Sequence, residues 1–416
     1  MELIFMKEVK FAILGCGQRG YFTCHVFAKV PGVKVTAVCD PYEDKAHTVA
    51  DKINETVGYK PEVFTDSSLA MDSGVDAVFI TASWEPHISL AIEAMKKGII
   101  VLCEVGGAYS VADCWRLVDT YEATKTPIMF MENCCYDKEE LLVTSLVRNG
   151  LFGEIVHCEG AYGHDLREEV CDGENLRHYR LRNYLNRNCD NYPTHDLGPI
   201  AKLLDINRGN RMVSLVSMAS KAAGLEDYIN RKGERFEHLK GKHFKQGDIT
   251  STIIKCANGE TILLHLDTTL PHYYDRHFTV RGTRGFYEQN LNLVYVDEKC
   301  EEITGAKKFC RENFDNAEKY EEKYLCEEWR NITEEDINSG HGGMDPIIFR
   351  KAVECILEGK EFPIDVYDMA SWMVITALSE ISIAQGGTVQ EIPDFTNGKW
   401  MIRERKDVVD FPIYNE

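Results

Sequence analysis

Val9-Lys10-Phe11-Ala12-Ile13-Leu14 runs directly into Gly15-Cys16-Gly17-Gln18-Arg19-Gly20, and this junction decides the fold of the N-terminal part. The first six residues are apolar except Lys10, as expected of a strand buried inside a parallel sheet. The G-x-G-x-x-G turn then opens a helix rich in apolar residues. Gly15 permits the tight turn, Gly17 lets a pyrophosphate approach the backbone, and Gly20 lets helix and strand pack closely. Asp40 closes a second strand over residues 33–40, twenty positions beyond Gly20. A carboxylate there accepts hydrogen bonds from an adenosine ribose and repels an added phosphate. The unit is therefore expected to take NAD rather than NADP.

Outward from this junction, strands and helices alternate. Residues 75–81, 99–103 and 127–131 read as further strands. Residues 89–97, closed by Gly98, and 110–124 read as helices. Such alternation implies an α/β fold, a doubly wound parallel sheet. After residue 133 the pattern changes. Strand-like runs follow one another over 155–162, 212–219, 250–256, 260–268 and 277–282, with Asn258-Gly259 as a hairpin turn between two of them. Residues 300–337 are polar and read as surface loops and helix; 345–358 and 367–384 read as helices. The expected domains are an NAD-binding Rossmann unit over 1–133 and a substrate-binding and oligomerisation α/β unit over 134–416. The latter has an open, mostly antiparallel sheet, with C-terminal helices packing back near the cofactor domain.

The 416 residues carry a formal net charge of −20. That balance repels nucleic acid and anionic membrane, and there is no basic run to reverse it. No apolar stretch reaches the length of a membrane span. The 15 cysteines include no C-x-x-C, and the six residues Met1 to Met6 are too short for a secretory leader. Reduced, mostly buried thiols and a cytoplasmic location are expected, with the vicinal pair Cys134-Cys135 as core filler.

Thr81-Ala82-Ser83-Trp84-Glu85-Pro86-His87 is followed by Val101-Leu102-Cys103-Glu104-Val105-Gly106-Gly107. This arrangement resembles the Gfo/Idh/MocA oxidoreductases. Their fifth strand usually ends in Glu-Lys-Pro, with the lysine as acid/base on a sugar hydroxyl. Glu104 matches the glutamate; Val105 and Gly106 replace lysine and proline. Further blocks are Met131-Glu132-Asn133-Cys134-Cys135-Tyr136, Glu159-Gly160-Ala161-Tyr162-Gly163-His164-Asp165, Tyr179-Arg180-Leu181-Arg182, Tyr192-Pro193-Thr194-His195-Asp196, Thr268-Thr269-Leu270-Pro271 and Gly340-His341-Gly342-Gly343-Met344-Asp345. Together they resemble glycoside hydrolase family 109, the NAD-dependent α-N-acetylgalactosaminidases of that superfamily.

The resemblance implies hydrolysis without net redox change. Glycosidases commonly place two carboxylates across the scissile bond, and NAD-dependent enzymes are an exception. In the family scheme the sugar is oxidised at carbon 3, which acidifies the proton on carbon 2. Loss of that proton expels the aglycone from carbon 1; water adds, and carbon 3 is reduced again. By position in the family motifs, Glu132, Tyr162, Arg180, Tyr192, His195 and Tyr274 fall on substrate-site residues. His195 or Tyr192 is the expected base for the carbon 3 hydroxyl, their i to i+3 spacing placing both on one side of a helical turn. Tyr162 is the expected proton carrier at carbon 2. Glu132, Arg180 and Tyr274 are expected to bind the sugar. Gln18, Arg19, His87 and Glu104 join Gly15, Gly17, Gly20 and Asp40 as expected cofactor residues. The His-Asp pairs at 164–165 and 195–196 lack metal-ligand spacing, so no metal is expected. Three positions depart from the family pattern: Gly106 in place of proline, Asp196 in place of a small residue, and Asp190-Asn191 in place of an apolar residue. They bear on the identity of the sugar. Two other readings are open, a net sugar dehydrogenase of the superfamily and a non-catalytic NAD- or sugar-binding regulator.

Overall fold

The computed structural model describes residues 8–300 and 302–414. The expectation that no leader precedes the first strand falls on residues 1–7, outside the described residues. The chain forms two compact units, Met1–Asn133 with Ile332–Ala370, and Cys134–Asn331 with Ser371–Glu416.

The first unit holds a six-stranded parallel sheet in the order β3-β2-β1-β4-β5-β6. The strands are β1 (Val9–Leu14), β2 (Val33–Cys39), β3 (Glu62–Phe64), β4 (Ala77–Ile80), β5 (Ile100–Cys103) and β6 (Ile128–Phe130). Helices α1 (Gln18–Ala28), α2 (Glu43–Val57), α3 (Ser67–Met71), α4 (His87–Lys96) and α5 (Val111–Thr124) connect them. The reversal of strand order between β1 and β4 is the switch point at which doubly wound sheets bind ligands. Local chemistry sets the helix ends: the Ser110 hydroxyl accepts from Asp113 N at 3.1 Å and caps α5. Helix Met344–Glu358 belongs to this unit because it closes an aromatic core. Phe349 meets Phe27 at 5.3 Å and Phe79 at 5.5 Å between ring centroids.

The second unit holds a nine-stranded sheet. Its strands are β7 (Ile155–Gly163), β8 (Met212–Ala219), β9 (Ile249–Cys256), β10 (Thr261–Asp267), β11 (Thr279–Gly282), β12 (Gly285–Glu288), β13 (Leu293–Val296), β14 (Asp315–Asn316) and β15 (Gln390–Glu391), in the order β14-β13-β12-β11-β7-β10-β9-β8-β15. Every pairing is antiparallel except β7 with β10. The β9–β10 hairpin turns through Asn258-Gly259, where Gly259 takes a positive φ of 111°. Side chains alternate as a half-covered sheet requires: Ile262, Leu264 and Leu266 of β10 are buried, and the residues between them are partly exposed. The helices of this unit include α6 (Lys138–Arg148), α7 (Arg167–Cys171), α8 (Arg180–Asn186), α9 (Thr194–Leu203) and α10 (Gly224–Arg231); α9 packs on β7 and β10, with α6 against it. All ten residues of α9 are buried. Helix Val366–Ala384 contains the division between the units.

The sequence reading contained no α2 or α6. Both are amphipathic, but they begin in charged residues. The acidic first turns Glu43-Asp44 and Glu139-Glu140 suit a helix start and break an apolar count. All 15 cysteines are free, and all but Cys310 are buried, as expected.

Candidate functional site

The first unit presents a dinucleotide cradle. A Cβ on Gly15 would stand 2.3 Å from the Ala82 backbone nitrogen, and one on Gly20 would stand 2.2 Å from the Gly15 carbonyl oxygen. Neither position admits another residue. Gly17 is different, for a Cβ there meets nothing within 4 Å. The backbone is therefore open on the side a pyrophosphate must approach. Gly17 caps α1 without a side-chain hydrogen bond, and no acid stands in the first turn. The helix N-terminus is thus left for an anion, which fits the dinucleotide. Thr81 Oγ1 donates to the Gly15 carbonyl at 2.5 Å and fixes the turn against β4. Asp40 accepts from Cys16 N at 2.8 Å and from Tyr42 N at 2.9 Å. It holds the turn shape, and each oxygen keeps a lone pair for a ribose hydroxyl.

The Arg19, Glu104 and His87 side chains are each hydrogen-bonded within the first unit. The Arg19 guanidinium donates to Glu104 Oε1 from Nε at 2.8 Å, and to Asp345 Oδ2 and Oδ1 from its two terminal nitrogens at 2.8 and 3.0 Å. His341 Nδ1 lies 2.8 Å from Asp345 Oδ2, and Asn133 Nδ2 donates to Asp345 Oδ1 at 2.9 Å. This network ties the glycine turn, the end of β5 and helix Met344–Glu358 together inside one unit. Burial works to raise the Asp345 carboxyl, but Arg19 and His341 hold it well below the usual carboxylate range. Burial raises Glu104, with Arg19 opposing. His87 is buried, its Nε2 donates to the Ala82 carbonyl at 2.9 Å, and burial pushes its pKa down to about 4, so it is neutral. It shapes the loop after β4. Gly106 is explained by the same loop, since a Cβ there would stand 2.7 Å from Trp84 Cδ1. The tryptophan occupies the space that a proline ring would need.

The second unit gathers five of the six expected substrate residues. Gly160 and Tyr162 share the covered face of β7. The missing side chain at Gly160 admits α9, where a Cβ would otherwise stand 2.8 Å from Asp196 Cβ. This close approach carries His195, and Tyr192 just before the helix, onto Tyr162. Ring centroids are 4.5 Å apart for Tyr162–Tyr192, 5.6 Å for Tyr162–His195 and 4.7 Å for the edge-on Tyr192–His195 pair. The expected juxtaposition of Tyr192 and His195 is present, but not as two positions of one helical turn. The helix begins at Thr194, so Tyr192 reaches His195 from the preceding turn. Tyr274 meets Tyr162 edge-on at 6.2 Å.

Arg180 is buried, with its guanidinium 5.4 Å from the Tyr192 ring centroid and Nε donating to Glu169 Oε1 at 2.6 Å. Against the effect of burial, Arg180 and His178 hold Glu169 below the usual range, so the pair is ionised. Burial raises the Tyr162 phenol, and Arg180 opposes that. Glu132, beyond the end of β6, is fully buried and belongs to the first unit. The unusual Asp190-Asn191 pair sits in a buried polar layer beneath the Tyr192 turn. Asp190 N donates to Ser379 Oγ at 2.9 Å and Asn191 Nδ2 to Gln246 Oε1 at 2.6 Å.

Several members of these sites were not read from sequence. The sequence gives no signal of a role for Asp345, His341 or Glu169, and His164 stands there only as half of a His-Asp pair. His164 stacks on Tyr162 at 6.0 Å with planes 12° apart, and burial lowers its imidazole pKa.

Comparison with known proteins agrees with both halves. A family model described as the C-terminal domain of glycosyl hydrolase 109 matches residues 136–402. A model of the oxidoreductase family with NAD-binding Rossmann fold matches residues 9–131. A glycosyl hydrolase family 109 protein from Solibacter usitatus is 36% identical over 405 residues, 95% of this chain and 90% of the relative. An alpha-N-acetylgalactosaminidase from Tannerella forsythia is 35% identical over 420 residues, covering 95% of this chain and 88% of its own. In fold, the chain is similar to an oxidoreductase from Agrobacterium radiobacter solved with NAD+, L-tartaric acid and magnesium (TM-score 0.66, 18% identity, 93% of this chain and 99% of that one). The chain belongs to glycosyl hydrolase family 109 and is an NAD-dependent glycoside hydrolase built on an oxidoreductase-like fold.

Proposed function

We propose that this enzyme hydrolyses an α-N-acetylgalactosaminide, with His195, Tyr192 and Tyr162 as the proton carriers. The observation that carries this reading is the convergence of those three rings on one face of β7, beside the buried Arg180–Glu169 pair. The name of the relative from Tannerella forsythia supports the choice of sugar and anomer. Bound in the cradle of the first unit, NAD supplies reversible oxidation at carbon 3 with no net redox change. His195 or Tyr192 takes the proton of the carbon 3 hydroxyl. Tyr162 carries the proton at carbon 2, with Arg180 opposing the upward shift that burial gives its phenol. Arg180, Tyr274 and Glu132 hold sugar hydroxyls or the acetamido group. On the cofactor side, the backbone of Gly15, Gly17, Gln18, Arg19 and Gly20 would hold the pyrophosphate and Asp40 the ribose. The Arg19 and Glu104 side chains brace that turn and His87 the loop after β4.

Self-association through the outer face of the nine-stranded sheet belongs to the same proposal. Val216, Ile253 and Leu263 stand in register there, with Ile253 54% exposed and nearby Met218 57% exposed. Light scattering on Ile253→Glu should show smaller particles than the parent. A cytoplasmic location is supported by the free, mostly buried thiols. Among the described residues no helix is long and apolar enough to cross a membrane.

The test of the reaction is turnover of a chromogenic α-N-acetylgalactosaminide in heavy water. Deuterium should appear on carbon 2 of the released sugar, NADH should not accumulate, and His195→Ala should lose activity by a factor on the order of 10²–10⁴. Release of unlabelled sugar would reject the elimination route. Accumulation of NADH in step with sugar consumed would show a net dehydrogenase instead.

A further inference from the structure

Arg276 lies two residues beyond Tyr274 and is buried. Its guanidinium is held on one side by two carboxylates. Nε donates to Glu140 Oε1 at 2.9 Å, and one terminal nitrogen lies 2.7 Å from Glu140 Oε1 and 2.9 Å from Asp137 Oδ2. The other terminal nitrogen donates to the Tyr274 hydroxyl oxygen at 3.4 Å. A guanidinium can only donate. It therefore takes a lone pair of the phenol oxygen and leaves the phenol proton to be directed elsewhere. Among the described residues the Tyr274 hydroxyl makes no other hydrogen bond. A hydroxyl with its acceptor side engaged and its proton free is a donor for a ligand oxygen.

The order of the rings says which oxygen. Tyr192 and His195 meet each other and Tyr162. Tyr274 meets Tyr162 and His164, and among the described residues it makes no ring contact with Tyr192 or His195. If the His195 and Tyr192 end serves carbon 3 and Tyr162 serves carbon 2, Tyr274 falls to carbon 1, where the aglycone departs. Tyr274 is 44% exposed, so a group leaving beside it can reach solvent.

We infer that Tyr274 is the general acid that protonates the departing aglycone oxygen, and that Arg276 is the positioning residue that turns the Tyr274 proton toward it. This rests on the glycosidase reading above. The C2–H electron pair becomes the C1=C2 bond, the C1–O pair leaves with the aglycone oxygen, and that oxygen takes the Tyr274 proton. When water adds to carbon 1, the Tyr274 phenolate takes one of its protons and is restored. A phenol is protonated at neutral pH, so the acid form is the resting form.

The experiment uses the full chain with NAD and compares two substrates of the same sugar, a 2,4-dinitrophenyl and a methyl α-glycoside. A dinitrophenolate leaves without a proton and a methoxide does not. Tyr274→Phe should lose less than tenfold in kcat on the first and about 100-fold or more on the second. In heavy water the variant should still place deuterium on carbon 2 of intact methyl glycoside, because oxidation and proton removal continue while expulsion stalls. Arg276→Lys should show the same substrate-selective loss, smaller in size and in kcat rather than KM. Equal losses on the two substrates, or loss of carbon 2 exchange together with hydrolysis, would overturn the inference. A parent enzyme that turns over neither glycoside would instead refute the choice of sugar and anomer above.

Discussion

Gly160 of β7 and Asp196 of α9 approach so closely that a Cβ on the glycine would stand 2.8 Å from Asp196 Cβ and 3.2 Å from its carbonyl oxygen. The strand lacks a side chain where the helix bearing His195 needs the room. Gly160→Ala must push α9 away or strain it, at about 1–3 kcal/mol of stability. Because the displaced helix carries His195, activity should fall more than stability does. A variant with a lowered melting temperature but unchanged kcat would show that α9 need not be held this tightly.

Asp345 is expected to be the stabilising carboxylate of the first unit. Removing one partner of a buried pair costs about 3–5 kcal/mol, so Asp345→Asn should show a loss of that order in urea unfolding at neutral pH. The sign with pH follows from the depressed carboxyl pKa. The carboxylate contributes fully above the ordinary aspartate value and loses that contribution as pH falls toward the folded value. The gap between parent and variant should therefore narrow as pH is taken below about 4. A gap that stays constant down to low pH would mean the carboxylate is not what Arg19 relies on.

Arg180 opposes the effect of burial on Tyr162. Arg180→Gln removes that opposition and leaves Glu169 uncompensated beside the cluster, which acts in the same direction. A base that must lose its proton then does so at higher pH. The acid limb of kcat should move to higher pH by about 1–3 units, and Arg180→Lys should recover part of the shift. An acid limb that does not move would remove Tyr162 from the role of base at carbon 2.

The space above Gly106 is filled by Trp84. Gly106→Ala should destabilise the first unit by about 1–3 kcal/mol and weaken the upward shift in melting temperature that added NAD produces. In a Trp84→Leu background the same substitution should cost markedly less. Additive effects in the double variant would show that the two residues do not share the space.

Much of this was legible in the chain. The strand-turn-helix at residues 9–20 and Asp40 identified the first sheet, because buried parallel strands and tight glycine turns each leave a local pattern. Alternation located β7 to β11 within one or two residues at each end. Six residues were expected at the substrate site from motif positions; five of them meet in one cluster of the second unit, and Glu132 lies in the first. Arg19 and Glu104 are both visible in the chain, but the carboxylate that joins them is not. The sequence shows a cation beside a glycine turn; it does not show that Asp345, 326 positions away, takes up the guanidinium. The Gly106 departure had no sequence reason either, since Trp84 is the cause and lies on another loop.

Local order was thus decided by the amino-acid sequence alone: which segments are strands, where the dinucleotide turn falls, and which residue types are available for proton transfer. These depend on short-range sterics and on the period of apolar residues, both written within a few positions of one another. The tertiary structure alone decided which charges neutralise which, which way a hydroxyl proton points, and how near α9 comes to β7. Those depend on long-range packing, where the absence of one side chain at Gly160 or the bulk of another at Trp84 sets distances between segments far apart in the chain.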